Sequence, residues 1–479
     1  MQMLFDFDTA QRRPRIISPC LAEIREIFSV EDKAAVFIRR RLGKHIPVRK
    51  YAITPTGYFD LPFYDTIYNT VKRKFPSVEI TATKAFNTVA ATQPIAEEPL
   101  ELSLKPRDYQ YQATQTALQN GKGIIVLPTS AGKTLVLAII SHTCFSLHNH
   151  RVLILVPNLQ LVHQTYKEFV DVGISSKNVS IWTGSNEYQH TPIVIANNQI
   201  LLSKTTNTSI LDTFDVLLAD ECHKFASATK IIKLVKTMKI KHMFGLTGSL
   251  PESEYDVWSL NRIFGEIIYF KKSEELRKQK FISKVRVVAL EIEYKFIPDF
   301  TKASMADPTA GFVEELEWLQ TNEFRNTIIS KLTDKLQTNT LVLVDRIAHG
   351  EHLLKWLKET TSKQVYFVRG SIEVEEREQI RKLMEKSNDV ICIAVSKIFA
   401  TGISIKNLHN VIFASIGKAR IKIIQSIGRS LRLHHTKKMA TIFDIADVSL
   451  IYGARHFAER KNLYESEKIP LITQTVVEK

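Results

Sequence analysis

From Leu104 onward the chain alternates short apolar runs with stretches whose apolar residues recur at helical spacing. Runs this short, rich in Val, Ile and Leu and closed by polar or glycine-containing residues, predict strands covered by helices on both faces. The first half offers Gly123–Leu127, Arg151–Val156, Ile193–Ala196, Val216–Ala219 and Met243–Leu246. After a connecting stretch over Ser273–Lys284, a second series follows at Leu341–Val344, Val365–Val368, Val390–Val395, Asn410–Ala414 and Ala440–Phe443. The repeat lies in the order of elements, since residue identity between the halves is slight. The first hundred residues read differently. An amphipathic helix over Leu21–Phe28 precedes a basic cluster (Arg39, Arg40, Arg41, Lys44, Arg49, Lys50), a strand pair around Thr56–Gly57 and a linker over Thr83–Glu101. The pattern predicts an α/β fold with a small α/β accessory domain (1–100) and two parallel-sheet domains (101–284 and 285–479).

Length agrees: 479 residues suffice for about three folding units at ~150 residues each. Hydrophobic residues at 44% and charged residues at 24% describe a globular chain. Apolar stretches such as Leu135–Ile140 fall far short of the ~20 residues a bilayer requires. Met1–Arg15 lacks the apolar centre of a secretory signal, and the four cysteines (Cys20, Cys144, Cys222, Cys392) form no C-x-x-C pair. The expected setting is a reducing cytoplasm, the host's if the chain is viral. A formal charge of +15 favours a polyanionic partner, although many basic proteins carry such charge only for solubility.

The candidate chemistry sits where the strands end. Pro128-Thr129-Ser130-Ala131-Gly132-Lys133-Thr134 follows a strand and opens a helix, the setting in which backbone N–H groups and a helix amino terminus cradle phosphates. Lys133 would neutralise β- and γ-phosphate charge, and Thr134 would offer a hydroxyl to Mg²⁺. Leu127 stands where the general phosphate-loop pattern has glycine. The strand Val216–Ala219 leads into Asp220-Glu221-Cys222-His223. Asp220 suits a magnesium ion, and Glu221 suits orientation and deprotonation of an attacking water. Upstream, Arg107-Asp108-Tyr109-Gln110 opens a helix, where the Gln110 amide matches the donor and acceptor on the edge of adenine; packing and capping are the plainer duties of such residues. Gln425, Arg429 and Arg432 recur about one helical turn apart, so the two arginines suit stabilisation of a transferring phosphoryl group. Taken alone, that segment reads rather as a basic, solvent-exposed helix face or a contact to a phosphate backbone.

As an ordered set, these motifs resemble the superfamily 2 helicases. The set comprises Arg107–Gln110, the phosphate loop, Pro157–Gln164, the Asp220–His223 box, Thr247-Gly248-Ser249, Val342–Arg346, Thr401-Gly402-Ile403 and Gln425–Arg432. Members of that superfamily often lack the glycine that Leu127 replaces. The Thr401–His409 segment and the box together look most like the UvsW-type recombination helicases of tailed bacteriophages. The resemblance implies two tandem RecA-like domains sharing one ATP with Mg²⁺, the nucleotide contacts running from Arg107 and Gln110 through Thr129, Ser130, Ala131, Gly132, Lys133 and Thr134. It further implies coupling through His223, Thr247, Ser249, Thr401 and Gly402, and action on branched or single-stranded DNA. Candidate DNA contacts are Pro157, Gln164, Asn198, Gln199, Lys397 and Thr401, with Arg39, Arg40 and Arg41 on a duplex arm. Unwinding of RNA or R-loops, and remodelling of bound protein without strand separation, remain the alternatives. Gln2–Phe7 faintly resembles a sliding-clamp-binding peptide.

Overall fold

The computed structural model describes all residues except 1, 33–34, 37, 40–42, 44–45, 92, 203–207, 301–307, 371, 373, 397–404, 416–426, 429–433, 435–436 and 438. The chain forms two compact units, Met1–Leu127 with Gly132–Lys271, and Lys272–Lys479 with Pro128–Ala131.

The first unit begins with a three-stranded sheet in the order β2 (Arg13–Ile17), β1 (Gln2–Asp8), β5 (Glu79–Ala82), antiparallel on one side of β1 and parallel on the other. Alternation along β1 buries Met3 and Phe5. Phe5 meets Tyr64 of α2 (Tyr64–Lys74) edge-on at 4.7 Å and stacks on Phe86 at 5.3 Å. Gln2–Phe7 therefore lies in a central strand whose Met3 and Phe5 side chains are buried in the core, which removes it as a free clamp-binding peptide. Helix α1 (Leu21–Ile27) forms as expected, but the expected strand pair does not fall at Thr56–Gly57. There the Gly57 N–H closes a tight turn on the Thr54 carbonyl at 3.0 Å, with Gly57 at φ +86°. The pairing is instead β3 (Ser29–Glu31) with β4 (Arg49–Tyr51). The stretch expected as linker from Thr83 starts as a helix, α3 (Lys84–Ala90), capped by the Thr83 hydroxyl accepting from Phe86 N–H at 3.2 Å.

This layer shares its core with the first large sheet. Phe28 and Phe63 pack on Trp258 of α7 (Glu254–Phe264), and Asp60 binds Arg262 at 2.5 Å and Lys236 at 2.8 Å. Burial alone would raise the Asp60 carboxyl, but the two cations outweigh it and hold it below the usual carboxylate range. The sheet itself is seven-stranded and parallel, in the order β12 (Ile267–Phe270), β6 (Lys122–Val126), β11 (His242–Thr247), β10 (Val216–Ala219), β7 (Val152–Val156), β9 (Ile193–Asn197), β8 (Val179–Trp182). Helices α4 (Asp108–Asn120), α5 (Lys133–His148) and α6 (Leu159–Asp171) flank it.

The second unit repeats the plan. Its parallel sheet runs β15 (Gln364–Val368), β16 (Val390–Val395), β14 (Thr340–Val344), β17 (Asn410–Ser415), β18 (Met439–Ala446), β13 (Lys284–Glu293), β19 (Leu471–Val477). Helices α8 (Glu323–Lys335), α9 (Ile347–Thr360) and α10 (Ile451–Ser466) carry its buried polar anchors. All ten expected strands of the two large sheets form within a few residues of their expected bounds. Four went unread: β8, β12, β13 and β19. Among the described residues no helix is long and apolar enough to cross a membrane.

Candidate nucleotide site

The carboxyl ends of β6, β7, β9, β10 and β11 carry the motifs. In an open parallel sheet this is the edge at which ligands collect, because helix amino termini and strand-end loops converge there. After β6 the chain turns through Ser130 at φ +70° and Gly132 at φ +77°, both left-handed, and enters α5 at Lys133. The left-handed backbone favours glycine at 132, and a Cβ there would also displace the Gln110 amide.

Gln110 is buried, its amide oxygen accepting from the Arg107 N–H at 2.9 Å and its amide nitrogen 3.4 Å from the Gly132 carbonyl. Gln110, expected to read a base, thus lies against the backbone of the Pro128–Thr134 loop at Gly132. Arg107 donates to the Tyr109 hydroxyl at 3.3 Å. Thr129 Oγ1 is buried without a hydrogen-bond partner.

Beyond β10, Glu221 is held at φ +49°, an uncommon backbone state for a side-chain-bearing residue and one that recurs where geometry serves chemistry. The turn is closed by Asp220 Oδ1 accepting from the Glu221 N–H at 2.9 Å. Glu221, with 17% of its side chain exposed, places Oε1 3.9 Å from Lys133 Nζ and Oε2 3.3 Å from His223 Nδ1. That second approach is not a directional hydrogen bond, and Oε2 stays unpartnered. The reason lies in His223, whose Nδ1 is spent on Thr247 Oγ1 at 2.9 Å. Thr247 gives its own proton to the Ser249 carbonyl at 2.7 Å, so the proton between His223 and Thr247 must come from the imidazole. Lys133, Glu221, His223, Thr247 and Ser249 therefore form one chain of contacts across the ends of β10 and β11 and the start of α5, with Ser249 Oγ left buried and unpaired.

The electrostatics separate the two carboxylates. Burial and the Glu221 charge push Asp220 above the usual carboxylate range, with a further push from Glu168 on α6. Glu221 feels the same burial, but Lys133 and His223 outweigh it and hold the group far below the usual range. Glu168 is a third carboxylate in this field that local motif reading missed; it lies one turn beyond Gln164, whose amide it accepts at 2.7 Å. Asp220 and the Thr134 hydroxyl fit a hard divalent cation. Both supply oxygen, and a positive ion beside Asp220 offsets the charge that burial disfavours.

Residues matching the family described as the res subunit of type III restriction enzymes span 103–252, and those matching the helicase conserved C-terminal domain span 323–434, together more than half of the chain. The chain belongs to the superfamily 2 helicases. As such it is an ATP-driven helicase that binds nucleic acid. This helicase is 28% identical over 398 residues to the ATP-dependent DNA helicase uvsW of Enterobacteria phage T4, covering 78% of each chain. It is 24% identical over 357 residues to the XPB/SSL2 helicase/translocase subunit of transcription and DNA repair factor IIH of Saccharomyces cerevisiae, covering 70% of this chain and 40% of that one. The fold is shared with Dbp5 of S. cerevisiae bound to RNA and ADP BeF3, at a TM-score of 0.56 and 12% identity, over 78% of this chain and 90% of that one.

The helicase's remaining candidate residues divide. Asn158 caps α6, its Oδ1 accepting from Leu161 N–H at 2.9 Å, which sets Pro157 at the strand end. Asn197 Oδ1 accepts from Gln199 N–H at 2.7 Å, while Asn198 Oδ1 is buried without a partner. In the accessory layer Arg39 is exposed, but Arg49 and Lys50 are ion-paired with Glu26 at 3.4 Å and Asp32 at 2.8 Å. The basic cluster is accordingly less free than the sequence implied. Arg40, Arg41, Lys44, Lys397, Thr401, Gly402, Gln425, Arg429 and Arg432 lie outside the described residues.

Proposed function

We propose that this helicase spends ATP to move along DNA and remodel branched structures, migrating junctions and regressing forks in recombination and repair. The observation that carries the reading is the likeness to the phage DNA helicase over more than three quarters of both chains, joined to the Lys133–Glu221–His223–Thr247–Ser249 contacts. In this reading Lys133 and the backbone N–H groups at the start of α5 bind the phosphates. Thr134 and Asp220 would hold Mg²⁺, which supplies charge neutralisation on the phosphates when bound. Glu221, kept ionised by Lys133, orients the attacking water and takes its proton.

His223 Nδ1 lies near Glu221 Oε2 and donates to Thr247, so a shift of the carboxylate during turnover is passed to the Thr247–Ser249 turn at the end of β11. Gln425, Arg429 and Arg432 are proposed to complete the phosphate contacts from the second domain. Pro157, Gln164, Asn198, Gln199, Lys397 and Thr401 are proposed to hold the DNA backbone, with Thr401 and Gly402 coupling that grip to turnover and Arg39, Arg40 and Arg41 contacting a duplex arm.

The test is ATPase stimulation and ATP-dependent remodelling across single-stranded DNA, four-way DNA junctions, R-loops and duplex RNA at one salt concentration. The expected order puts the junction first. Stimulation by RNA alone overturns the DNA reading.

A further inference from the structure

One irregularity in the second sheet places a polar chain at the foot of two motif-bearing segments. Strand β14 pairs in step with β17 as far as Leu343 opposite Phe413, and then Val344 lies opposite Ser415, leaving Ala414 out of the ladder. On its other side Val344 lies opposite Val395. An extra residue of this kind bends a strand and re-aims the next side chain, and such bulges gather beside functional sites. Here the re-aimed residue is Ser415. Its Oγ accepts from the Asp345 N–H at 3.3 Å and lies 2.9 Å from His349 Nδ1. Asp345 Oδ1 in turn accepts the hydroxyl of Ser396, a fully buried residue directly after β16.

The bulge is held from below. The carbonyl of Ala414 accepts from the Arg325 guanidinium, which grips Asp447 through Nε at 2.8 Å and Nη2 at 3.1 Å. The Tyr294 hydroxyl donates to the same carboxylate at 2.6 Å. A fully buried ion pair is a poor way to gain stability compared with apolar packing, so its placement under a bulge points to a demand for geometry. His349 is kept neutral by burial and by Arg325, so the node at Ser415 holds its hydrogen bonds across the neutral pH range.

Ser396 immediately precedes the segment that contains Lys397, Thr401 and Gly402, and Ser415 immediately precedes the segment that runs to Gln425, Arg429 and Arg432. We infer that Asp345, held by the Ser396 hydroxyl, and Ser415 are positioning residues that link the starts of these two segments, so that engagement of nucleic acid by the first is transmitted to ATP turnover through the second. This rests on the roles proposed above for Lys397, Thr401, Arg429 and Arg432. Neither positioning residue touches ATP or nucleic acid in this scheme, and their effect is confined to the response of the ATPase to its track.

The experiment measures ATPase rate with and without saturating single-stranded DNA for wild type, Ser396→Ala, Ser415→Ala, the double variant and Ser396→Thr, together with KM for ATP and the melting midpoint. Each alanine variant should lose about fivefold or more of the stimulation ratio, a coupling factor of ordinary size, with basal rate and KM within about twofold of wild type. The double variant should lose no more than the larger single, because the two links are in series. Ser396→Thr, which keeps the hydroxyl, should retain the ratio. Should Ser415→Ala melt early, Ser396→Ala and its threonine rescue carry the same comparison at a strand end. Stimulation unchanged in the alanine variants of a stimulated wild type overturns the inference alone, as do losses that multiply in the double variant. A wild type that no nucleic acid stimulates overturns the functional reading beneath it.

Discussion

The two seven-stranded sheets gather polar residues at the same edge but finish them differently. In the first, Glu221 Oε2 and Ser249 Oγ are buried without hydrogen-bond partners, and Lys133 stands 3.9 Å from Glu221, beyond hydrogen-bonding reach. In the second, Asp447 is filled by Arg325 and Tyr294, and Asp444 by two 2.8 Å bonds from Arg460 and one of 2.7 Å from Tyr464. Unsatisfied buried oxygens cost free energy unless a ligand meets them, whereas a saturated carboxylate has no capacity left to bind one. The contrast lies in the carboxylates: Glu221 keeps an open oxygen, whereas Asp447 and Asp444 are spent on holding a shape, even though Arg325 Nη1 and His349 Nε2 beside them are also buried without partners.

The sharpest way to break that contrast is to exchange the consequences of mutation. Glu221→Gln should cut ATP turnover by about 10²-fold or more, as loss of a general base does, while moving the melting midpoint by only a few degrees. Steady-state ATPase and thermal melting check both halves; a large loss of stability would make Glu221 structural. Arg325→Ala should do the reverse. It strands Asp447 and frees the Ala414 carbonyl inside the core, at a cost of about 3 kcal/mol or more in denaturant unfolding of the second domain.

A smaller effect comes from acid. Burial and then Arg325 lower His349 to about 3 in the folded protein, while the unfolded chain titrates near ~6.5. The folded state therefore binds fewer protons between those values. The contribution of His349 to stability is intact above the unfolded value, and about 1.4 kcal/mol is lost per pH unit as pH falls below it towards the folded value. His349→Gln should flatten this slope in urea titrations between pH 6 and pH 5. An unchanged slope would assign the acid sensitivity elsewhere.

The contrast also explains what could be read from the chain alone. The phosphate loop and the Asp220–His223 box are contiguous strings of recognisable residue types, and the strands beneath them are buried on both faces, so they read as continuous apolar runs. Edge strands β8, β12 and β19 offer shorter or more exposed patterns, and β13 begins within the stretch taken as a connection. Arg325, Asp447 and Ser415 carried no signal, since their partners lie tens of residues away and a lone buried charge looks like a surface one in sequence. The accessory layer was misread at Thr56–Gly57 because turn residues flanking a β-bridge resemble a hairpin, and Arg49 and Lys50 looked free until their acidic partners came into view.

The most direct test of ATP-driven motion from the first-domain site is the conversion of a four-way DNA junction by wild type and by Lys133→Ala, with ATP present and protein in equal amounts. Wild type should convert the junction and Lys133→Ala should not, while both still bind it. Conversion by Lys133→Ala at the wild-type rate would contradict the account.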